Sequence, residues 1–95
     1  MNNKIIKFGA EWCGPCKAMK PHIEQFKGMI AESDIEVLDL DVDKEENVEL
    51  SNQYGVRSIP HTVFIKDGET VKTVTGLKTS EDLYTIYKQI YESNH

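Results

Sequence analysis

Apolar and polar positions along this chain recur with two periods. Lys4-Ile5-Ile6-Lys7-Phe8-Gly9 reads as a short strand, and residues 35–42 (Ile-Glu-Val-Leu-Asp-Leu-Asp-Val) alternate and read as a second. Between them Met19, Ile23, Phe26 and Ile30 recur at helical spacing and predict a helix over 13–31, with Pro21 inside it as an expected kink. Asp43-Lys44-Glu45-Glu46 has the form of a capping box, with Asp43 as N-cap of a short helix. That helix is expected to end at Tyr54-Gly55, where Gly55 takes the left-handed cap. Residues 62–66 and 70–75 read as strands joined by an Asp67-Gly68 hairpin turn. Thr79-Ser80-Glu81-Asp82 opens the last helix, whose inner face is Leu83, Ile86, Tyr87 and Ile90.

The predicted order is β-α-β-α-β-β-α. A helix joins the first two strands, so they should lie parallel, whereas the last two form an antiparallel hairpin. The expected fold is α/β: a mixed four-stranded sheet flanked by helices on both faces, with residues 1–95 as a single domain. The length supports one core and not two.

Charge narrows the function classes. Lys and Arg number 11 against 16 Asp and Glu, a formal net charge of −5. An acidic chain is poorly suited to nucleic acid, which is held by displacing counterions with cations, and to anionic membrane surfaces. No apolar run approaches the length of a membrane span. The N-terminal residues lack the apolar core of a secretory signal, which predicts a cytoplasmic, reducing location. In that setting two cysteines three residues apart are redox-active or metal-binding rather than a staple, because the loop they close is tiny. Zinc needs more ligands than Cys13 and Cys16 supply, and His22, His61 and His95 are scattered. No metal and no cofactor is therefore expected.

Trp12-Cys13-Gly14-Pro15-Cys16 lies where a strand hands over to a helix. A thiolate at a helix N-terminus meets unsatisfied N–H groups and the positive end of the dipole, so Cys13 should be acidified. Pro15 suits a first helical turn. Gly14 is expected to allow a tight turn and the approach of a partner. Cys16, one turn in, is placed to attack a mixed disulfide on Cys13. Trp12 reads as a rim residue, His61 as a bystander at a strand start, and His22 as a helix-surface residue. The acidic run from Asp39 to Glu49 reads as a solvated face, Asp39 excepted.

The segment from Phe8 to Lys17 resembles the active-site signature of the thioredoxin family. Pro21, Tyr54 to Pro60, Lys66 to Glu69 and Gly76 also fall where that family has its helix proline, cis-proline loop, hairpin turn and late glycine. The resemblance implies a minimal thioredoxin fold and a thiol–disulfide oxidoreductase that reduces protein disulfides. It implies that Cys13 attacks, that Cys16 resolves, and that Trp12, Ile59, cis-Pro60 and Gly76 bind substrate. The implied partners are disulfide-containing proteins and an upstream reductase or glutathione, with the chain acting as a monomer. Two other functions stay open: a glutathione-dependent reductant similar to glutaredoxin, and a binding subunit that does not need its cysteines.

The chain departs from the family twice. Cys13 comes too early for the extra strand and helix that thioredoxins usually carry before the active-site strand. Lys7 stands six residues before Cys13, where the family has a buried acid, and Asp39 falls where it commonly has a lysine. An inverted Lys7–Asp39 pair is therefore expected on adjacent parallel strands, tuning the active site from beneath. The competing expectation has Lys7 snorkelling to solvent.

Overall fold

A computed structural model describes residues 2–92, so His95 lies outside the described residues. The elements are β1 (Lys4–Gly9), α1 (Gly14–Met29), β2 (Glu36–Asp41), α2 (Glu45–Gln53), β3 (His61–Lys66), β4 (Glu69–Thr75) and α3 (Ser80–Tyr91). The sheet order is β2-β1-β3-β4, with β1 and β2 parallel and the other two pairs antiparallel. This is the mixed four-stranded sheet and the β-α-β-α-β-β-α order of the thioredoxin fold.

Alternation along the strands builds two cores. Ile5 and Phe64 point to one face, where Met19, Ile23 and Phe26 of α1 and Leu83 and Tyr87 of α3 cover them. Ile6, Phe8, Val63 and Ile65 point to the other, where Leu50 and Tyr54 from α2 and its C-terminal cap pack. Ile86 and Ile90 are partly buried against the first core, as the expected inner face of α3 requires. The Tyr91 hydroxyl donates to the Ile65 carbonyl at 2.7 Å, and pins the end of α3 to the sheet.

Local chemistry sets the element ends. Asp67 and Gly68 both have positive φ (54° and 84°), the conformation of a two-residue hairpin turn. Gly55 has φ 65°, and the bonds Gly55 N–H to Asn52 O and Val56 N–H to Ser51 O close α2 in a Schellman cap. At α3 the capping box is complete: Thr79 Oγ1 accepts from Asp82 N–H at 3.1 Å, and Asp82 Oδ2 accepts from Thr79 N–H at 3.1 Å.

At α2 the expectation fails. Lys44, not Asp43, is the N-cap, and it makes no side-chain capping bond. The Asp43 carboxylate instead accepts from Trp12 Nε1 at 2.6 Å. Pro21 lies inside α1, which runs unbroken from Gly14 to Met29. The Lys17 carbonyl that loses its partner there belongs to an exposed residue and can bond to solvent. Among the described residues no helix is long and apolar enough to cross a membrane.

Candidate active site

The cysteines sit where β1 ends and α1 begins. Cys13 is the N-cap of α1, in extended conformation, and Cys16 lies in the first turn. The two form a disulfide, with Cα atoms 5.2 Å apart. The Cys13 sulfur also accepts the Cys16 N–H at 3.2 Å, so it takes up one of the donors that a helix N-terminus leaves unpaired. A negative charge on that sulfur is favoured by the same donors and by the helix dipole.

Cys13 is 7% exposed and Cys16 1%. The outer sulfur faces the loop before β3, with Cys13 Sγ 4.0 Å from the Ile59 carbonyl oxygen. The Ile59–Pro60 peptide bond is cis. Gly76, at φ 87°, donates its N–H to the Pro60 carbonyl at 2.8 Å, and this holds the end of β4 against the same loop. Trp12 is 72% exposed, and with Val42, Val56, Arg57 and Ile59 it borders a depression of about 190 Å³ beside the disulfide.

Pro15 occupies the first turn of α1 without forfeiting a bond. Gly14 differs from its expectation. It has no positive φ and is the first residue of the helix, so no tight turn depends on it. A Cβ at Gly14 would meet nothing within 4 Å, so the space in front of the helix stays open to a partner.

Beneath the disulfide the sheet supplies charge. Lys7 and Asp39 are direct partners in the β1–β2 register. Lys7 Nζ lies 3.2 Å from Asp39 Oδ1, with the lysine 1% and the aspartate 18% exposed. The ammonium also donates to the Cys16 carbonyl at 3.2 Å. Lys7 is thus buried under the start of α1 and does not snorkel. On the outer side of Asp39, Lys20 reaches Oδ2 at 3.4 Å from an exposed position on α1. This cluster lines one wall of an open groove of about 550 Å³ between α1 and the end of β2.

Some residues at the site carry no clear signal in the sequence. A Cβ at Gly9 would sit 3.1 Å from Cys16 Cβ, Cys16 Sγ and Lys7 Nζ, so a side chain there would press on both residues and glycine leaves them room. Asp43, expected as a helix cap, steadies the Trp12 indole. His22, expected at the helix surface, is partly buried and accepts the Ser80 N–H at 3.2 Å, which ties α1 to α3.

His61 is buried, with its ring 6.4 Å from Phe8, and neither ring nitrogen has a hydrogen-bond partner among the described residues. Burial pushes its pKa down, which favours the neutral ring. No group of three or more His, Cys, Asp or Glu side chains among the described residues is arranged to hold a metal ion.

Known proteins resemble this chain in sequence and in fold. The family model described as Thioredoxin matches residues 1–89. The thioredoxin of Bacillus subtilis is 42% identical over 79 residues, which span 83% of this chain and 73% of that protein. The thioredoxin of Chlamydia caviae is 38% identical over 85 residues, 90% of this chain and 79% of that one. Among solved structures, a thioredoxin variant from Halobacterium salinarum superposes with a TM-score of 0.82 at 34% identity, covering 99% of this chain and 79% of its own. Fasciola hepatica thioredoxin gives 0.79 at 33% identity, over 93% of this chain and 80% of that one. With its cysteine pair at the mouth of α1 and its sheet in the same order, the chain belongs to the thioredoxin family, whose members are protein-disulfide oxidoreductases.

Proposed function

We propose that the chain acts as a cytoplasmic, monomeric dithiol that passes electrons to protein disulfides, with Cys13 as attacking and Cys16 as resolving sulfur. The observation that carries this assignment is the position of Cys13 as the N-cap of α1, with its sulfur on the outer side of the pair. In the reduced protein the Cys13 thiolate attacks one sulfur of the substrate disulfide. The substrate S–S bond breaks, and its other sulfur leaves as a thiolate that takes a proton from solvent. The Cys16 thiolate then bonds to Cys13 Sγ and releases the second substrate sulfur in the same way. Two electrons have moved, and the protein is left with the Cys13–Cys16 disulfide that the structure contains.

The substrate segment lies across Trp12, Ile59, Pro60 and Gly76. Support comes from the open approach over Gly14 and from the Ile59 carbonyl, which lies 4.0 Å from the Cys13 sulfur at the edge of the loop before β3. No metal or organic cofactor enters this cycle. The upstream donor is a thioredoxin reductase or glutathione.

Turnover of insulin disulfides tests this reading, with each donor supplied in turn as the only electron source. Cys13→Ser should abolish turnover, and Cys16→Ser should accumulate a mixed disulfide on Cys13. Full biological activity after replacement of both cysteines by serine would instead favour a binding subunit.

A further inference from the structure

The resolving sulfur is buried, and burial in an apolar setting raises a thiol pKa and slows ionisation. Cys16 is 1% exposed, so it must lose its proton where solvent scarcely reaches. Lys7 is the buried charge placed to answer this. Its Nζ and Cys16 Sγ each lie 3.1 Å from the point that a Cβ on Gly9 would occupy, so the two atoms are no farther apart than twice that distance. An ammonium carries three N–H donors. One of them goes to the Cys16 carbonyl. Asp39 Oδ1 lies 3.2 Å from the ammonium as its ion-pair partner, and Cys16 Sγ lies on the Gly9 side of the same group.

We propose that Lys7 is a positioning residue whose buried ammonium stabilises the Cys16 thiolate. This deepens the proposed reading, because it rests on Cys16 as the resolving sulfur. In the resolving step Cys16 first gives its proton to water. The new bond then forms from Cys16 to Cys13, and the substrate leaves with the electron pair of the broken S–S bond.

The surrounding charges are accounted for. On β2, Asp39 faces Lys7 and offsets the cost of burying it. Lys20 of α1 binds the outer oxygen of Asp39 and draws its charge away from the sulfur. Lys17, Asp41 and Glu11 line the open groove, where water screens them. From β3 the residue opposite Lys7 is Thr62, which is uncharged. Lys7 is the fully buried charge among these groups, it lies beside Cys16, and its sign favours the thiolate.

Titration of a single thiol tests the proposal. In Cys13→Ser the remaining Cys16 thiol, followed by its thiolate absorbance, should titrate at or below the ordinary value of about 8.5. Adding Lys7→Met should raise that midpoint by at least about one unit, a tenfold change. Lys7→Gln keeps a donor for the Cys16 carbonyl while removing the charge, and should do the same if the methionine variant fails to fold.

In the two-cysteine protein at pH 9, a one-unit rise from about 8.5 means that Lys7→Gln should shift the equilibrium with glutathione about threefold toward the disulfide, or about 15 mV. A Cys16 thiol that titrates well above 8.5 with Lys7 intact overturns the proposal, with no variant at Lys7 required. A midpoint unchanged by Lys7→Gln overturns it as well. The titration involves no substrate, so its failure is distinct from a failure to reduce insulin.

Discussion

Cys13 and Cys16 differ in two respects that decide which sulfur meets a reagent first. Cys13 caps the helix and is the more exposed, at 7% against 1%. Cys16 lies beside the buried ammonium and is almost wholly covered. Brief iodoacetamide treatment of the reduced protein at neutral pH should therefore label Cys13 at least about tenfold faster, as read by peptide mass spectrometry. Labelling of Cys16 first would reverse the roles assigned to the two sulfurs.

His61 offers a second test at this scale. Burial lowers its pKa below 6.5. The unfolded chain then takes up a proton at His61 before the folded chain does. Its contribution to stability is complete above about pH 6.5 and is lost as pH falls from there through the folded value, at up to about 1.4 kcal/mol per pH unit. His61→Leu removes the titrating group and two unpaired nitrogens. It should leave stability at pH 7.5 equal or higher, and flatten the loss between pH 6.5 and 5 in urea denaturation. Parallel loss in both proteins would show that other groups carry the acid sensitivity.

Residue positions were legible to different depths. The Cys13–Cys16 pair at a strand-to-helix junction follows from a motif, and the Lys7–Asp39 pair follows from the resemblance to the family. Gly9, Lys20 and the Asp43–Trp12 contact depend on how elements approach in space, which no local pattern encodes.

Among the elements, the two helix starts that look alike in sequence behave differently, for a physical reason. Thr79 and Asp82 exchange both bonds of a capping box. Asp43 and Glu46 have the same spacing, but the Asp43 carboxylate is taken up by the Trp12 indole N–H from the active-site loop. A long-range donor outcompetes the local cap, and α2 starts one residue later than expected, behind an uncapped Lys44. Thr79→Ala should therefore cost about 1 kcal/mol of stability. Asp43→Ala should cost less than about 0.5 kcal/mol, yet change Trp12 fluorescence, because it releases the indole rather than a helix end. Trp12 is the only tryptophan, so the signal is unambiguous. A loss at Asp43 equal to that at Thr79 would restore the capping role. The strands were more legible than the helix ends. β3 and β4 are each one residue longer than expected: Glu69 pairs with Lys66 across the Asp67-Gly68 turn, and His61 pairs with Phe8 and Thr75 at the far end.

For the whole molecule, redox state and folding stability are two sides of one cycle. Element order and layering follow from periodicity alone, since each amphipathic face has one sheet face to cover. The burial of Lys7 does not follow, because it depends on α1 and β2 closing over it together. That burial ties the disulfide to the fold. The stability of the reduced protein minus that of the oxidised protein equals RT ln of the ratio of two constants: the equilibrium constant for reducing the pair in the folded chain, and the same constant in the unfolded chain. A charge at position 7 acts on the sulfurs mainly in the folded chain, because the unfolded chain is solvated and screens it. If Lys7→Gln lowers the folded constant about threefold, the stability difference must fall by about 0.7 kcal/mol. The glutathione equilibrium and the urea unfolding of both redox forms, all at pH 9, measure this change independently. Agreement to within a few tenths of a kcal/mol places the effect of Lys7 in the folded active site. A redox shift with no matching change in relative stability would place it in the unfolded chain instead, and would remove the fold from the account of how this protein sets its potential.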